Sequence, residues 1–504
     1  MTKKFYITTP IYYVNDKPHL GHAYTTIAAD ILARYHRFIG DEVFFLTGTD
    51  EHGAKVAKSA EKVGKTPKQF CDEISALYTS LWDALNISNN DFIRTTDERH
   101  EIGAKKFIEK LKEADAIYEG SYEGLYCTGC EKFLTEKELV DGKCPDHKIC
   151  PDKISEKNYF FKLDKYAKKV QELIETDKIK IEPENIKTEV LGLFKQELEN
   201  FSVSREKVTW GIKVPWDESQ VIYVWVDALS NYITALGYGN VDDSKFRKYW
   251  PANLQLMGKD IIKFHAIYWP AMLLALNLSV PKQIFANGYF TVNGQKMSKT
   301  IGNTIDPNDL VKKYGSDATR FLIISQFPFG QDGDVKAEKF DEQFNANLAN
   351  GLGNLVSRVT AMYLKLDLKK NKNNVLANKE AVRLVANAWK NYEKFMEENK
   401  VDQSLKSTFS LVKFANEYIS VEKPWELIGS DDEKATMVLL NLIEIIRHVA
   451  WMIYPFLPET VEKILTQFSM WEEESKLEYA KLKKWKRFDL DLQVKKGQAL
   501  FPRI

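Results

Sequence analysis

The chain opens with a run that reads as extended and then changes period. Residues 5–14, FYITTPIYYV, are dense in β-branched and aromatic side chains, which predicts a strand. After His22 the apolar positions Ala23, Ile27, Ile31, Tyr35 and Phe38 recur at helical spacing, and Gly40 supplies a stop. Residues 42–47 return to a strand pattern and run into Gly48-Thr49-Asp50-Glu51-His52-Gly53. Strand, helix, strand predicts the βαβ unit of a parallel sheet. Beyond residue 342, Gly and Pro become sparse and apolar residues recur at helical spacing, as in 435–456. That stretch predicts an all-helical bundle. The expected class is therefore α/β with a parallel sheet, followed by an all-α region.

Composition narrows the picture only a little. A chain of 504 residues predicts roughly three domains and ample buried core. Hydrophobic residues make up 44% and charged residues 28%, the balance of a globular protein in water. No apolar run is expected to reach the ~18–20 residues that span a bilayer. The strand beginning at residue 5 leaves no room for a signal segment, so a cytoplasmic location is expected. Seventy-one basic and 71 acidic residues cancel, so any nucleic-acid surface must be local. Basic stretches such as 165–169 and Lys369-Lys370 read as solvated faces.

Two short motifs carry the chemistry. His19-Leu20-Gly21-His22 falls where the first strand turns into a helix. A helix N-terminus offers free N–H groups and a positive dipole end to phosphate. Gly21 leaves room for a flat base, and His19 and His22 can donate to phosphate oxygens; alone, the same histidines would read as helix caps. Lys296-Met297-Ser298-Lys299-Thr300 lies between the turn signals Asn293-Gly294 and Gly302-Asn303. Lysines on such a loop can reach a phosphoryl group whose charge grows in the transition state.

Five cysteines are unevenly placed. Cys71 stands in a helical pattern and reads as core. Cys127-x2-Cys130 and Cys144-x2-His147 have the spacing of a structural zinc site, two knuckles of two ligands each. Cys150 is the alternative fourth ligand. Such a metal would hold its segment together and leave no open coordination position.

The histidine and lysine motifs in this order are the paired signature of class I aminoacyl-tRNA synthetases. Along nearly its whole length the chain resembles the methionyl-tRNA synthetase family. The likeness rests on residues 11–15 (IYYVN), 47–53 (TGTDEHG), 224–232 (VWVDALSNY) and 258–273 (GKDIIKFHAIYWPAML). Thr300 stands where serine is more usual and keeps the hydroxyl. The resemblance implies a Rossmann-type catalytic domain in two halves, 1–117 and 224–292, with the sheet resuming near residues 221–223. It implies a zinc-knuckle connective peptide at 118–223, a lysine-loop and stem-contact region at 293–342, which includes PFGQDGD at 328–334, and an anticodon-binding bundle at 343–504.

It also implies site roles. Asp50, which alone would read as a helix cap, would receive the substrate ammonium. Ile11, Tyr13, Val224, Trp225, Ala228, Leu229, Tyr232, Phe264, His265 and Trp269 would surround the methionine side chain, whose thioether gains from aromatic contact. Gly258 and Asp260, after the strand-like LQLMG, would meet the ATP ribose. Asn354, Arg358 and Trp425 would read the CAU anticodon of tRNA(Met) by base edges and stacking. The implied reaction is ATP-dependent ligation of L-methionine to tRNA(Met) through methionyl-adenylate, with Mg2+ accompanying ATP. Homocysteine, one methylene shorter, would be discarded by cyclisation in the same site, without a separate editing domain. The chain stops at Ile504, without the C-terminal dimerisation domain of some relatives, so a monomer is expected. Rival readings are a small-molecule nucleotidyltransferase, a sister synthetase, and a noncatalytic tRNA-binding protein.

Overall fold

The computed structural model describes residues 2–504 apart from 130, 135, 146, 147, 197, 293, 297–303, 367–376 and 487–491, and omits the side chains of 137, 295 and 296. The first unit is as the period change predicts. Strand β1 (Lys4–Tyr13) leads into α1 (Leu20–Phe38), and β2 (Glu42–Asp50) follows. Helices α2 (Ala54–Lys62) and α3 (Pro67–Ala84) lead to β3 (Asp91–Arg94), and α4 (Glu98–Glu113) comes next. Gly40, at φ 97°, takes the left-handed turn that ends the first helix region.

Residues beyond this unit form an antiparallel sheet around β4 (Ile117–Cys127), β5 (Lys132–Leu134) and β6 (Asp152–Phe161). The chain then gives α5 (Ala167–Glu175), β7 (Lys180–Glu182), α6 (Glu184–Leu193), β8 (Phe201–Ser202) and β9 (Ser204–Arg205). Next come β10 (Lys213–Val214), β11 (Asp217–Ile222), α7 (Val224–Thr234), α8 (Ser244–Tyr249) and β12 (Leu254–Gly258). After α9 (Trp269–Ala275) stand β13 (Gln283–Asn287), β14 (Phe290–Val292) and β15 (Gln295–Lys296).

The main sheet has the order β3-β2-β1-β12-β13-β7, every neighbour parallel. Two details differ from the sequence reading. The main sheet resumes at β12, because residues 221–222 pair instead with β9 and β10 in a small antiparallel sheet. And β7, from the middle of the segment expected to be an insert, adds itself to the main sheet's edge beside β13. Three residues, Lys-Ile-Glu, with one buried side chain, give too short a pattern to be read as a strand.

One sheet face carries α1 and continues into a core shared with the helical region. The other face packs on α4, α7, α9 and the 118–223 segment. Arg320, fully buried, fastens the helical side. It pairs with Asp30 of α1 at 2.7 Å and donates to the carbonyls of Leu85, Pro455 and Phe456. The last third is helical as predicted. Its central helix, Asp432–Ile453, corrects one expectation: at 22 residues it is long and apolar enough to cross a membrane. Its apolar window is 94% buried, so its hydrophobic surface is spent on the bundle core.

Candidate functional site

A cavity of about 640 Å3 opens at the C-terminal ends of β1, β2, β12 and β13. Parallel sheets place ligands there because loops diverge and helix N-termini point inward. Tyr13 ends β1 directly opposite Asp50 at the end of β2, and Gly258 stands opposite Asn287 at the ends of the next pair. All four residues line the cavity.

The histidine end is fixed by the backbone. His19 is the extended residue before α1, and its Nδ1 accepts the Gly21 N–H at 3.1 Å. His22 Nδ1 accepts the His19 N–H at 3.2 Å. The two rings stack with centroids 3.7 Å apart. A backbone N–H can only donate, so each Nδ1 is unprotonated and the neutral tautomer of each ring carries its proton on Nε2. Burial, aided by the neighbouring His19, pushes the His22 pKa well below its ordinary value. Both imidazoles thus present N–H donors from the mouth of a helix, and both line the cavity. A Cβ on Gly21 would lie 3.0 Å from the His19 ring, so the pair needs glycine between its members. Thr25, one turn on, donates to Asn287 Oδ1 at 3.2 Å and ties the helix to the end of β13.

Lys296 lies on β15, opposite Thr291 of β14, and Phe290 of β14 lines the cavity. Asp334 Oδ1 pins that arm by accepting the Gly294 N–H at 2.7 Å and the Thr291 hydroxyl at 2.8 Å. Thr304, where the described chain resumes, lines the cavity again. Both feet of the lysine segment therefore stand at the same cleft as the histidines. The Lys296 side chain and Lys299 lie outside the described residues.

At the other end, Ile11, Tyr13, Asp50, Val224, Trp225, Ala228, Leu229, Tyr232, Phe264 and His265 all line the cavity. Trp225 stacks on Phe264 at 3.8 Å, nearly coplanar. His265 Nδ1 donates to the Ile261 carbonyl at 3.0 Å, which leaves Nε2 to accept the Tyr232 hydroxyl at 2.8 Å. Burial pushes the His265 pKa down to about 4, so the ring is neutral at pH 7. Trp269 lies one layer back. It is fully buried behind this wall, against Phe107, Trp250 and Tyr232, and is no part of the lining. The turn at Phe264–Tyr268 is π-helical and leads directly into α9.

Asp50 is the electrostatic oddity. It is buried, and Oδ1 has no hydrogen-bond partner among the described residues. Burial and the nearby Asp227, Glu131 and Glu51 carboxylates raise its pKa well above the usual range. Its neighbours are compensated. Arg94 grips Glu51 at 2.7 and 2.9 Å. His52 and His100 hold Asp227 at 2.7 and 2.6 Å and keep its pKa low against the effect of burial. A buried carboxylate in a cavity wall, with one oxygen lacking a hydrogen-bond partner among the described residues, suits a cationic group.

Sequence reasoning missed Lys55, Glu131, Asn231, Asn287 and Tyr289, which also line the cavity. Asn287-Gly288 at a strand end was the one legible signal among them. Asp260 lines the cavity beside Gly258 as expected.

Elsewhere, Asn354 and Arg358 lie one turn apart on the helix Asn354–Tyr363. Arg358 sits 5.5 Å from the ring centre of Trp425, which is 44% exposed. Cys71 is core, as read. Cys127 and Cys144 are buried in one small cluster with Leu134, whereas Cys150 is exposed. Cys130 and His147 lie outside the described residues, and among those described no group of three or more ligands gathers.

Residues 5–153 and 147–360 match the family of class I tRNA synthetases of the methionine type, and residues 371–504 match the anticodon-binding domain of methionyl tRNA ligase. The methionine–tRNA ligase of Clostridium acetobutylicum is 45% identical over all of this chain and 78% of its own length. That of Thermotoga maritima is 42% identical over 99% of this chain and 80% of its own. The Mycobacterium tuberculosis methionyl-tRNA synthetase in complex with methionyl-adenylate superposes with a TM-score of 0.93 at 35% identity, covering both chains fully. Its free state gives 0.86 at 32% identity, over 100% of this chain and 99% of the other. The chain belongs to the methionyl-tRNA synthetases, within class I of the tRNA synthetases.

Proposed function

We propose that one cavity activates methionine at its two ends, with Asp50 taking the substrate ammonium and the His19/His22 pair with Lys296 and Lys299 taking the ATP phosphates. The overall activity follows from the family: the chain ligates L-methionine to tRNA using ATP, through methionyl-adenylate, and releases AMP and pyrophosphate. One observation carries the site assignment. Asp50, whose buried Oδ1 has no hydrogen-bond partner among the described residues, lines the same cavity as two imidazoles whose tautomers make them donors.

In this reading the ammonium pairs with Asp50, and the side chain enters the aromatic wall of Trp225, Phe264 and Tyr232. The carboxylate is thereby aimed at the α-phosphorus. Its oxygen forms the new P–O bond as pyrophosphate departs, and the imidazole N–H groups and lysine ammonium groups receive the charge that grows on phosphate oxygens. Gly258 and Asp260 hold the ribose of ATP. Mg2+ arriving with ATP would neutralise phosphate charge. The terminal adenosine of tRNA then takes the methionyl group through its 2′-hydroxyl.

Asn354, Arg358 and Trp425 read the anticodon; an exposed tryptophan beside a guanidinium and an amide suits stacking and base-edge contacts. Cys127, Cys130, Cys144 and His147 hold a structural zinc. The burial of Cys127 and Cys144 together, and the exposure of Cys150, favour this set over one containing Cys150. Zinc there would supply folding energy to the segment. The enzyme works in the cytoplasm, with its ATP and tRNA, and the domain limits at 118, 224, 293 and 343 serve as working boundaries.

The test is ATP–pyrophosphate exchange with each amino acid in turn. Methionine supports exchange and the others do not; exchange driven by a different amino acid rejects the assignment. Lys299→Ala should keep methionine binding and slow exchange by about a hundredfold or more.

A further inference from the structure

Glu131 belongs to the 118–223 segment, yet it is only 4% exposed and lines the cavity beside Asp50. It is held there in a left-handed conformation, φ 48°, which a side chain adopts at some cost. Its carboxylate reaches back to the motif that carries Asp50. Oε1 accepts the Lys55 N–H at 2.6 Å, at the first turn of α2. The capping carboxylate of that helix therefore comes from a residue 76 positions away. The Tyr13 hydroxyl lies beside Gly53, as this carboxylate does, and has no hydrogen-bond partner among the described residues. Gly53, at φ 109°, makes the approach possible, because a Cβ there would lie 2.3 Å from Glu131 Oε2. Two further bonds clamp the segment in place: the Tyr223 hydroxyl donates to the Glu131 carbonyl at 2.6 Å, and Lys55 Nζ to the Gly129 carbonyl at 2.9 Å.

We propose that Glu131 is a positioning residue for methionine, acting from the inserted segment by capping α2, so that the turn after β2 sets Asp50 for the ammonium. The proposal rests on the reading of Asp50 given above. It explains why the chain has glycine at 53, and it makes the amino-acid end of the cavity depend on a segment distant in sequence. The hydrogen bonds of Glu131 described above, with Lys55 and Tyr223, involve neither member of the histidine pair, so the effect is expected on methionine rather than ATP.

Steady-state ATP–pyrophosphate exchange separates the possibilities, with KM for methionine and for ATP measured independently. Glu131→Ala leaves the Lys55 N–H uncapped and should raise KM for methionine about tenfold or more, with KM for ATP and kcat within about threefold. Glu131→Gln keeps an acceptor oxygen for Lys55 and should restore KM for methionine to within about threefold of the parent. An unchanged KM for methionine in Glu131→Ala overturns the proposal. So does an equal loss for both substrates. A Glu131→Gln variant as impaired as Glu131→Ala also overturns it, since the charge itself would then be acting on the ammonium. Asp50→Asn run alongside distinguishes the two readings: if it leaves KM for methionine unchanged, the Asp50 assignment fails, whatever Glu131 does.

Discussion

The two ends of the cavity are built in opposite ways. The histidine end is local. Four consecutive residues, a helix N-terminus and two backbone N–H bonds fix both rings and their tautomers. The methionine end is convergent. Its walls come from β1, β2, α7, the π-turn before α9 and the distant segment that supplies Glu131. Its carboxylates are crowded: Glu51 and Asp227 hold basic partners, whereas Asp50 Oδ1 has no hydrogen-bond partner among the described residues. A local site tolerates change elsewhere because the backbone holds it. A convergent site depends on packing between segments, and it stores an unpaired charge until the ligand arrives.

The largest expected effect that separates the two ends is at the local one. If His22 donates to phosphate as proposed, His22→Ala should slow adenylate formation by about 10²–10³-fold while leaving the methionine dissociation constant within about twofold. Rapid-quench measurement of adenylate against methionine titration checks it. Next comes the aromatic wall. Trp225→Ala removes the stacking partner of Phe264 and should raise KM for methionine about tenfold or more. Trp269→Phe, one layer back, should change it by no more than about threefold. Equal effects from both would return Trp269 to the lining.

The smallest effect is on stability. The folded-state pKa of Asp50 is raised, so its ionisation opposes folding as pH rises past the ordinary carboxylate value toward the raised one. Asp50→Asn removes that penalty. Its Tm should exceed the parent's at pH 7, and the difference should close below about pH 4, where the parent's Asp50 is neutral in both states. Calorimetry across that range reads the sign.

The same contrast explains what could be read in the sequence. His19, Gly21 and His22 were legible because a strand-to-helix change places them at a helix N-terminus and the distant lysine motif supplies the second half of the signature. Asp50 was legible as the end of a strand, but its strange electrostatics were not, since Asp227 and Glu131 arrive from 177 and 81 positions onward. Trp269 came from the resemblance, whereas on pattern alone its stretch reads as core, and its ring packs against Phe107, Trp250 and Tyr232. The strand at Lys180–Glu182 was invisible because three residues carry almost no periodicity. Glu131 sits at a left-handed position between two short strands, where neither pattern nor motif marks it as a cavity residue.

Calorimetric titration of methionine, and separately of ATP, into Asp50→Asn and His22→Ala tests the two-ended site most directly. The account predicts a crossed result: Asp50→Asn loses methionine affinity by about thirtyfold or more and keeps ATP, while His22→Ala keeps methionine and weakens ATP. Methionine binding to Asp50→Asn with the parent's affinity would contradict it.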